Sequence, residues 1–236
     1  MMVSVYWAEA GLEKSNFKPK EFLQSFGRRK SRKLLITKQN LLEDSLPDYL
    51  IDLSKLFLVG QKFWLEIGFG GGEHLAGRAL ANPEITMLGC EPFYDGIASM
   101  LGHIKREGIK NIRIFNDDAR LLLKALPDKS LERVFILFPD PWPKLRHQKR
   151  RIVNQQTLDL LARVMCEGGE LLLATDHVDY GVWMLEHLQA DPRFIWQANE
   201  PEDWQNPPPG WVETRYQVKT TLEGRKPMFL RYVFSG

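Results

Sequence analysis

The sequence predicts an α/β fold, with a mostly parallel, seven-stranded sheet and helices on both faces. Three observations predict it. Short bulky apolar runs alternate with segments of helical spacing, the pattern of strands joined by crossover helices. One strand runs straight into a turn made almost wholly of glycine and then into a helix. A polar or acidic residue stands just past each of the first five strands, where sheets of this kind bind ligands.

Taken in order, residues 1–37 lack periodicity and read as a mobile basic arm, with residues 38–236 forming the domain proper. A helix is expected over 38–51, turning Leu41, Leu42, Leu46, Tyr49 and Leu50 inward. Phe63 to Ile67 is apolar enough for a buried parallel strand, and Gly68, Gly70, Gly71 and Gly72 follow. The next helix places Leu75, Ala79 and Leu80 on one side. A second strand, Thr86 to Cys90, ends at Glu91, and a helix over 93–107 is stopped by Gly108. Ile112 to Phe115 is the third strand, closed by Asp117 and Asp118, before a short helix over 119–126. A fourth strand over 131–138 leads into a long basic loop at 139–151. A helix over 154–165, a turn at Gly168 and Gly169, and a strand over 170–174 bring the chain to Thr175 and Asp176. A helix over 177–189, a strand near Phe194, the proline-rich loop 206–210 and a closing strand at Met228 to Phe234 complete the reading.

The composition is that of an ordinary soluble protein, 44% apolar and 26% charged over 236 residues, enough for one full core. A net charge of +2 hides its segregation. Residues 14–42 hold nine Lys or Arg against one acid, and residues 144–151 hold five against none, leaving 18 basic and 29 acidic residues elsewhere. A polyanion-binding face on an acidic body requires that arrangement. Two cysteines, Cys90 and Cys166, argue for a reducing compartment and against disulfide or metal frameworks. With no signal peptide and no apolar run of membrane length, the chain is expected in the cytoplasm. His74, His103, His147, His177 and His187 have no metal-ligand spacing and read as surface or helix residues, His147 doubling as a phosphate contact. Trp196, Trp204 and Trp211 read as lid or core packing.

The glycine turn decides the ligand. A dinucleotide fingerprint wants G-x-G-x-x-G, but glycines fall at 68, 70 and 72 and Glu73 takes the third expected place. Glu66 at the strand's end would repel a phosphate and suits a cation. S-adenosylmethionine, with its sulfonium and ammonium, is the ligand read here. Glu91 can accept from both ribose hydroxyls, while Asp117 and Asp118 can accept from the adenine amino group or cap the next helix.

The most specific stretch is Phe138-Pro139-Asp140-Pro141-Trp142-Pro143-Lys144, continued by Arg146, His147, Lys149, Arg150 and Arg151. Three prolines in five residues stiffen a loop that holds Asp140 and Trp142. With Ser25-Phe26-Gly27-Arg28-Arg29, Leu65-Glu66-Ile67-Gly68-Phe69-Gly70, Gly89-Cys90-Glu91, Asp118-Ala119 and Ala174-Thr175-Asp176, it resembles the bacterial tRNA (guanine-N7-)-methyltransferases over nearly the whole chain. The resemblance implies a class I S-adenosylmethionine-dependent methyltransferase fold, Rossmann-like, and methylation of a guanosine N7 in the tRNA variable loop.

Carried over position by position, it implies that Glu66, Gly68, Gly70, Glu91, Asp118, Ala119 and Asp140 line the donor pocket, Asp140 being the catalytic carboxylate. Lys144, Asp176 and the segment Thr214, Arg215, Tyr216, Gln217 would contact the substrate. Arg28, Arg29, Lys30, Arg146, Lys149, Arg150 and Arg151 would meet tRNA phosphates. The chain departs from the family at Gln217, where a Glu is usual, and in the stretch 220–226, which questions guanine recognition at that end. Guanine N7 keeps an in-plane lone pair and no proton, so an in-line transfer needs positioning and stabilisation of the cationic base rather than a general base. The partners expected are tRNA and S-adenosylmethionine, without metal or membrane, the protein acting as a monomer or homodimer. The competing readings are a methyltransferase of this fold acting on another RNA or a small molecule, and a non-catalytic RNA-binding relative.

Overall fold

The computed structural model describes residues 34–56 and 63–236. The basic arm lies, up to residue 33, outside the described residues. Helix α1 (Ile36–Tyr49) begins two residues earlier than the sequence predicts and tucks Leu46 into the core, with Leu41, Leu42, Tyr49 and Leu50 half-buried against it. After a single turn, α2 (Leu53–Leu56), come β1 (Phe63–Ile67), α3 (Glu73–Ala81), β2 (Thr86–Cys90), α4 (Tyr94–Glu107), β3 (Ile112–Phe115), α5 (Ala119–Ala125) and β4 (Leu131–Leu137). The second half runs α6 (Gln155–Val164), β5 (Met165–Thr175), α7 (Val178–Gln189), β6 (Phe194–Trp196), α8 (Glu202–Gln205), α9 (Arg215–Leu222) and β7 (Met228–Phe234).

The seven strands lie in the order β3-β2-β1-β4-β5-β7-β6. The first five pair in parallel, and β7 enters antiparallel between β5 and β6. Alternation along β1 sends Phe63, Leu65 and Ile67 to one face and Trp64 to the other. On the first face Leu65, Val134, Leu171 and Leu230 meet α5, α6 and α7 through Leu122, Leu161 and Met184. On the second, Met87, Ile112 and Phe135 meet α3 and α4 through Leu75, Ala79, Ile97 and Met100. Each fully buried side chain of this size contributes about 1.5–3 kcal/mol by leaving water. The chain leaves β1 toward β2 on one side and β4 on the other, so the strand order reverses at β1/β4 and opens a crevice at their carboxyl ends.

Three expectations are corrected, and two stretches that the sequence reading leaves unassigned prove helical. Leu80 is 48% exposed, because it stands five residues, about 140° of helix rotation, beyond the buried Leu75. Gly168 and Gly169 do not separate helix from strand. β5 already begins at Met165, and the glycines form a bulge where five steps along β5, Met165 to Glu170, match two along β4. The basic loop contains a 3₁₀ helix, Leu145–Arg150. Residues 202–205 and 215–222 are helical, the second capped by Thr214, whose side chain accepts from the Gln217 N–H.

Candidate active site

The turn after β1 is built to expose backbone. Gly70, at φ 53°, directs its N–H to Glu91 Oε2 at 2.9 Å, and Phe93 N–H donates to Glu91 Oε1 at the same distance. A Cβ built on Gly68 or Gly70 would meet nothing within 4 Å, so the turn looks onto open space. Gly96, in the first turn of α4, is the opposite case. Its Cβ would lie 2.4 Å from the Gly70 carbonyl oxygen, a backbone atom that cannot swing aside. Gly96→Ala is therefore expected to cost about 1–3 kcal/mol of stability by overpacking and to displace the turn. Thermal unfolding and donor titration check both effects.

Glu91 lies against this turn, and the charges of Asp140 and Glu66 reach it. Glu91 is held above its ordinary value, first by burial and then, against its two backbone hydrogen bonds, by the charges of Asp140 and Glu66. Glu66 itself is 2% exposed and bonds His74 at 2.7 Å from Oε2 to Nδ1. The sequence predicts a surface or helix position for this histidine; it lies in α3, but buried between Phe135 and Trp211, with ring centroids 5.0 and 5.2 Å away. Burial, then Asp118, Glu91 and Asp117, push the Cys90 thiol up and leave it inert.

Of the adjacent acids after β3, Asp118 is the cap. Its Oδ1 accepts from Arg120 N–H at 3.0 Å and from Arg120 Nε at 2.9 Å. Asp117 is buried, its Oδ1 accepting from the Asp118 N–H at 2.8 Å. Ala119, also buried, opens α5 beside them.

Past β4, Phe138 and Trp142 both take left-handed backbone, φ 49° and 42°, and bracket Pro139-Asp140-Pro141. Two such residues store on the order of 1–3 kcal/mol each and persist only where neighbours hold them. Asp140 is exposed, as are Lys144, Arg146 and Lys149. Arg150 is half-buried, its guanidinium 4.8 Å from the Trp142 ring centre. Partial burial, then Arg150, Arg146, Lys144 and Lys149, hold His147 below its ordinary value, so four cations crowd one imidazole. Arg151 departs from expectation. It is 1% exposed and cannot reach a phosphate. Its Nε donates to the Pro141 carbonyl at 2.9 Å, its Nη2 pairs with Asp179, and it lies against the rings of Tyr180 and Trp183.

Asp176, past β5, is buried and engaged by Arg225 Nη1 at 2.6 Å and by Tyr216 O–H at 3.3 Å. Burial, then the Asp176 charge, raise Tyr216, keeping it a donor. The four residues 214–217 part company at the start of α9. Thr214 caps; Arg215 reaches Glu73 at the start of α3; Tyr216 lies 5.3 Å from the Phe138 ring; Gln217 turns inward, its Oε1 accepting from Trp211 Nε1 at 2.8 Å. These contacts bring the glycine turn, the 138–142 loop and α9 to one crevice mouth. Arg28, Arg29 and Lys30 lie outside the described residues. Sequence reading missed Arg120 and Arg225 and placed no role on His74, each of which acts through a partner far along the chain or across an element boundary, while Trp211 packs against the core as the sequence predicts. Among the described residues no three His, Cys, Asp or Glu side chains could share a metal ion, and no helix is long and apolar enough to cross a membrane.

Residues 60–230 match a family model described as "Putative methyltransferase". A tRNA (guanine-N(7)-)-methyltransferase of Rhodospirillum rubrum is 44% identical over 226 residues, 90% of this chain and 88% of that protein. One of Paramagnetospirillum magneticum is 46% identical over 218 residues, 88% and 91% of the two chains. Among solved structures, the 16S rRNA methyltransferase KamB superposes with a TM-score of 0.54 at 15% identity, covering 75% of this chain and 89% of its own, a likeness of fold alone.

Proposed function

Because the chain belongs to the bacterial tRNA (guanine-N(7)-)-methyltransferase family and has the class I methyltransferase fold, we propose that it methylates N7 of a guanosine in the tRNA variable loop, with S-adenosylmethionine as donor. The observation that carries the donor is the open space over Gly68 and Gly70, with Glu91 bonded to the turn and the charges of Asp140 and Glu66 reaching Glu91. Glu91 would hold the ribose hydroxyls, and Asp118 and Ala119 would flank the adenine, Asp118 with the lone pairs that its cap and Arg120 leave. Bound there, the donor supplies a methyl group on a cationic sulfur.

The chain's own side chains need move no proton. Guanine N7 offers a free lone pair, so Asp140 and Asp176 serve as fixed negative charge where the base turns cationic. Asp176 and Tyr216 would take the base's N1–H and amino edge, with guanine competing against the Arg225 guanidinium for the same carboxylate. At Gln217, where a Glu is usual in the family, the side chain brings a neutral carboxamide whose carbonyl is taken by the Trp211 indole. Lys144 would stand at the substrate entrance. Methylating tRNA that lacks the modification and mapping N7-methylguanosine tests the proposal. A product elsewhere, or on no tRNA, refutes it.

Phosphates would be met by Lys144, Arg146, Lys149 and Arg150, together with Arg28, Arg29 and Lys30 of the arm. With about six phosphates engaged, log affinity for tRNA is expected to fall against log salt with a slope of roughly −4 to −5. Lys149→Ala should shallow it by about 1 in filter-binding titrations.

A further inference from the structure

We propose that Arg151 is a positioning residue for methyl transfer: from inside the protein it fixes the distance between the Asp140 loop and the segment that begins at Asp176. The inference rests on assigning Asp140 to the reacting site. Arg151 closes the basic run and by sequence belongs with the phosphate contacts, yet it is fully buried. Its guanidinium lies 4.8 Å from the Tyr180 ring centre and 4.9 Å from that of Trp183. Both rings belong to α7, which starts two residues after Asp176.

The guanidinium's polar edges point two ways. Nε holds the Pro141 carbonyl, immediately after Asp140, and Nη2 holds Asp179 in the first turn of α7. Further bonds hold Arg151 within residues 148–154 and tie that stretch to α7. Arg151 N–H donates to Gln148 O at 2.9 Å, its carbonyl accepts from Asn154 Nδ2 at 2.8 Å, and the Trp183 indole donates to Val153 O at 2.7 Å. One planar, always-charged group thus joins the loop carrying Asp140 to the helix that follows Asp176. The loop needs such a tie, because Phe138 and Trp142 hold it in left-handed backbone on either side. A lysine could supply charge but not two donors in fixed directions between two rings.

The test sets Arg151→Lys beside Arg150→Ala and Asp140→Asn, reading tRNA affinity, its salt slope and the single-turnover methylation rate at saturating donor and tRNA. Arg151→Lys should leave tRNA affinity within about threefold and the salt slope unchanged, while the rate falls about a hundredfold, the loss expected of a misplacement on the order of 1 Å. Arg150→Ala, a phosphate contact, should weaken tRNA binding and shallow the slope. If Arg151→Lys instead weakens binding, shallows the slope by about 1 and keeps the rate, Arg151 meets phosphate and the proposal falls. It falls equally if neither quantity moves. Should Arg151→Lys not fold, Asp179→Ala removes only the half-exposed end of the tie; it should lower the rate about five- to tenfold at unchanged tRNA affinity, and an unchanged rate overturns the proposal. An inactive Asp140→Asn beside a fully active Arg151→Lys sinks the tie alone; a fully active Asp140→Asn sinks the site assignment.

Discussion

Asp140→Asn is expected to lower the single-turnover rate of tRNA methylation by roughly a hundred- to a thousandfold, with tRNA affinity changed by less than about threefold. The substitution keeps the shape of a side chain held between two prolines and removes only its charge. That charge acts on Glu91 and on Tyr180, so Asp140 stands within electrostatic reach of both the donor rim and the α7 side of the crevice. A loop fixed at φ 49° and 42° on its flanks cannot readily re-aim another carboxylate into the same place. Rapid-quench methylation with excess enzyme reads the rate directly. A rate equal to that of the wild type would remove Asp140 from the reaction.

Glu91→Gln is expected to weaken donor binding by more than about a hundredfold, because hydrogen bonds to a charged acceptor are worth about 1.5–3 kcal/mol each and two ribose hydroxyls would lose theirs. The carboxylate already accepts from Gly70 and Phe93 through separate oxygens, and a carboxamide can keep only one of these bonds. The raised value of Glu91 adds a pH signature. Between the ordinary carboxylate value and the raised one, the folded chain holds a proton that the unfolded chain has released. Stability from this group is therefore greatest at low pH and is lost as pH rises through that window. Donor affinity should run the other way, full above the raised value and falling as pH drops through it, since the ionised form accepts the ribose hydroxyls and faces a cation. Calorimetric titration of S-adenosylmethionine against pH should show this fall in the wild type, with the Glu91→Gln variant flat over the same range. Equal slopes in the two proteins would mean that another group titrates.

The strands, their order along the chain and the acids at their ends were legible because burial periodicity and post-strand position are local properties. Phe63–Ile67 and Met228–Phe234 begin and end where the apolar pattern does. Asp118 and Thr214 show the limit of that reading. Both types cap helices, and at Asp118 capping is one of two readings that residue type leaves open; only the structure shows Asp118 accepting from Arg120 and Thr214 opening a helix that the sequence leaves unassigned. Gly168 and Gly169 carry a turn signal in either setting, and it takes the β4 neighbour to make them a bulge.

What the sequence determined by itself was the class of fold, which follows from residue type and spacing, the family, through the motifs it shares with it, and the acids that stand at the strand ends. What the tertiary structure decided was partnership: His74 on Glu66, Gln217 on Trp211, Arg225 on Asp176, Arg151 on Pro141. A charged side chain has the same composition whether it faces a phosphate or a buried carbonyl. Only the packing of elements far apart along the chain sets which of the two it meets, and the cost of burying a charge requires that a partner be there.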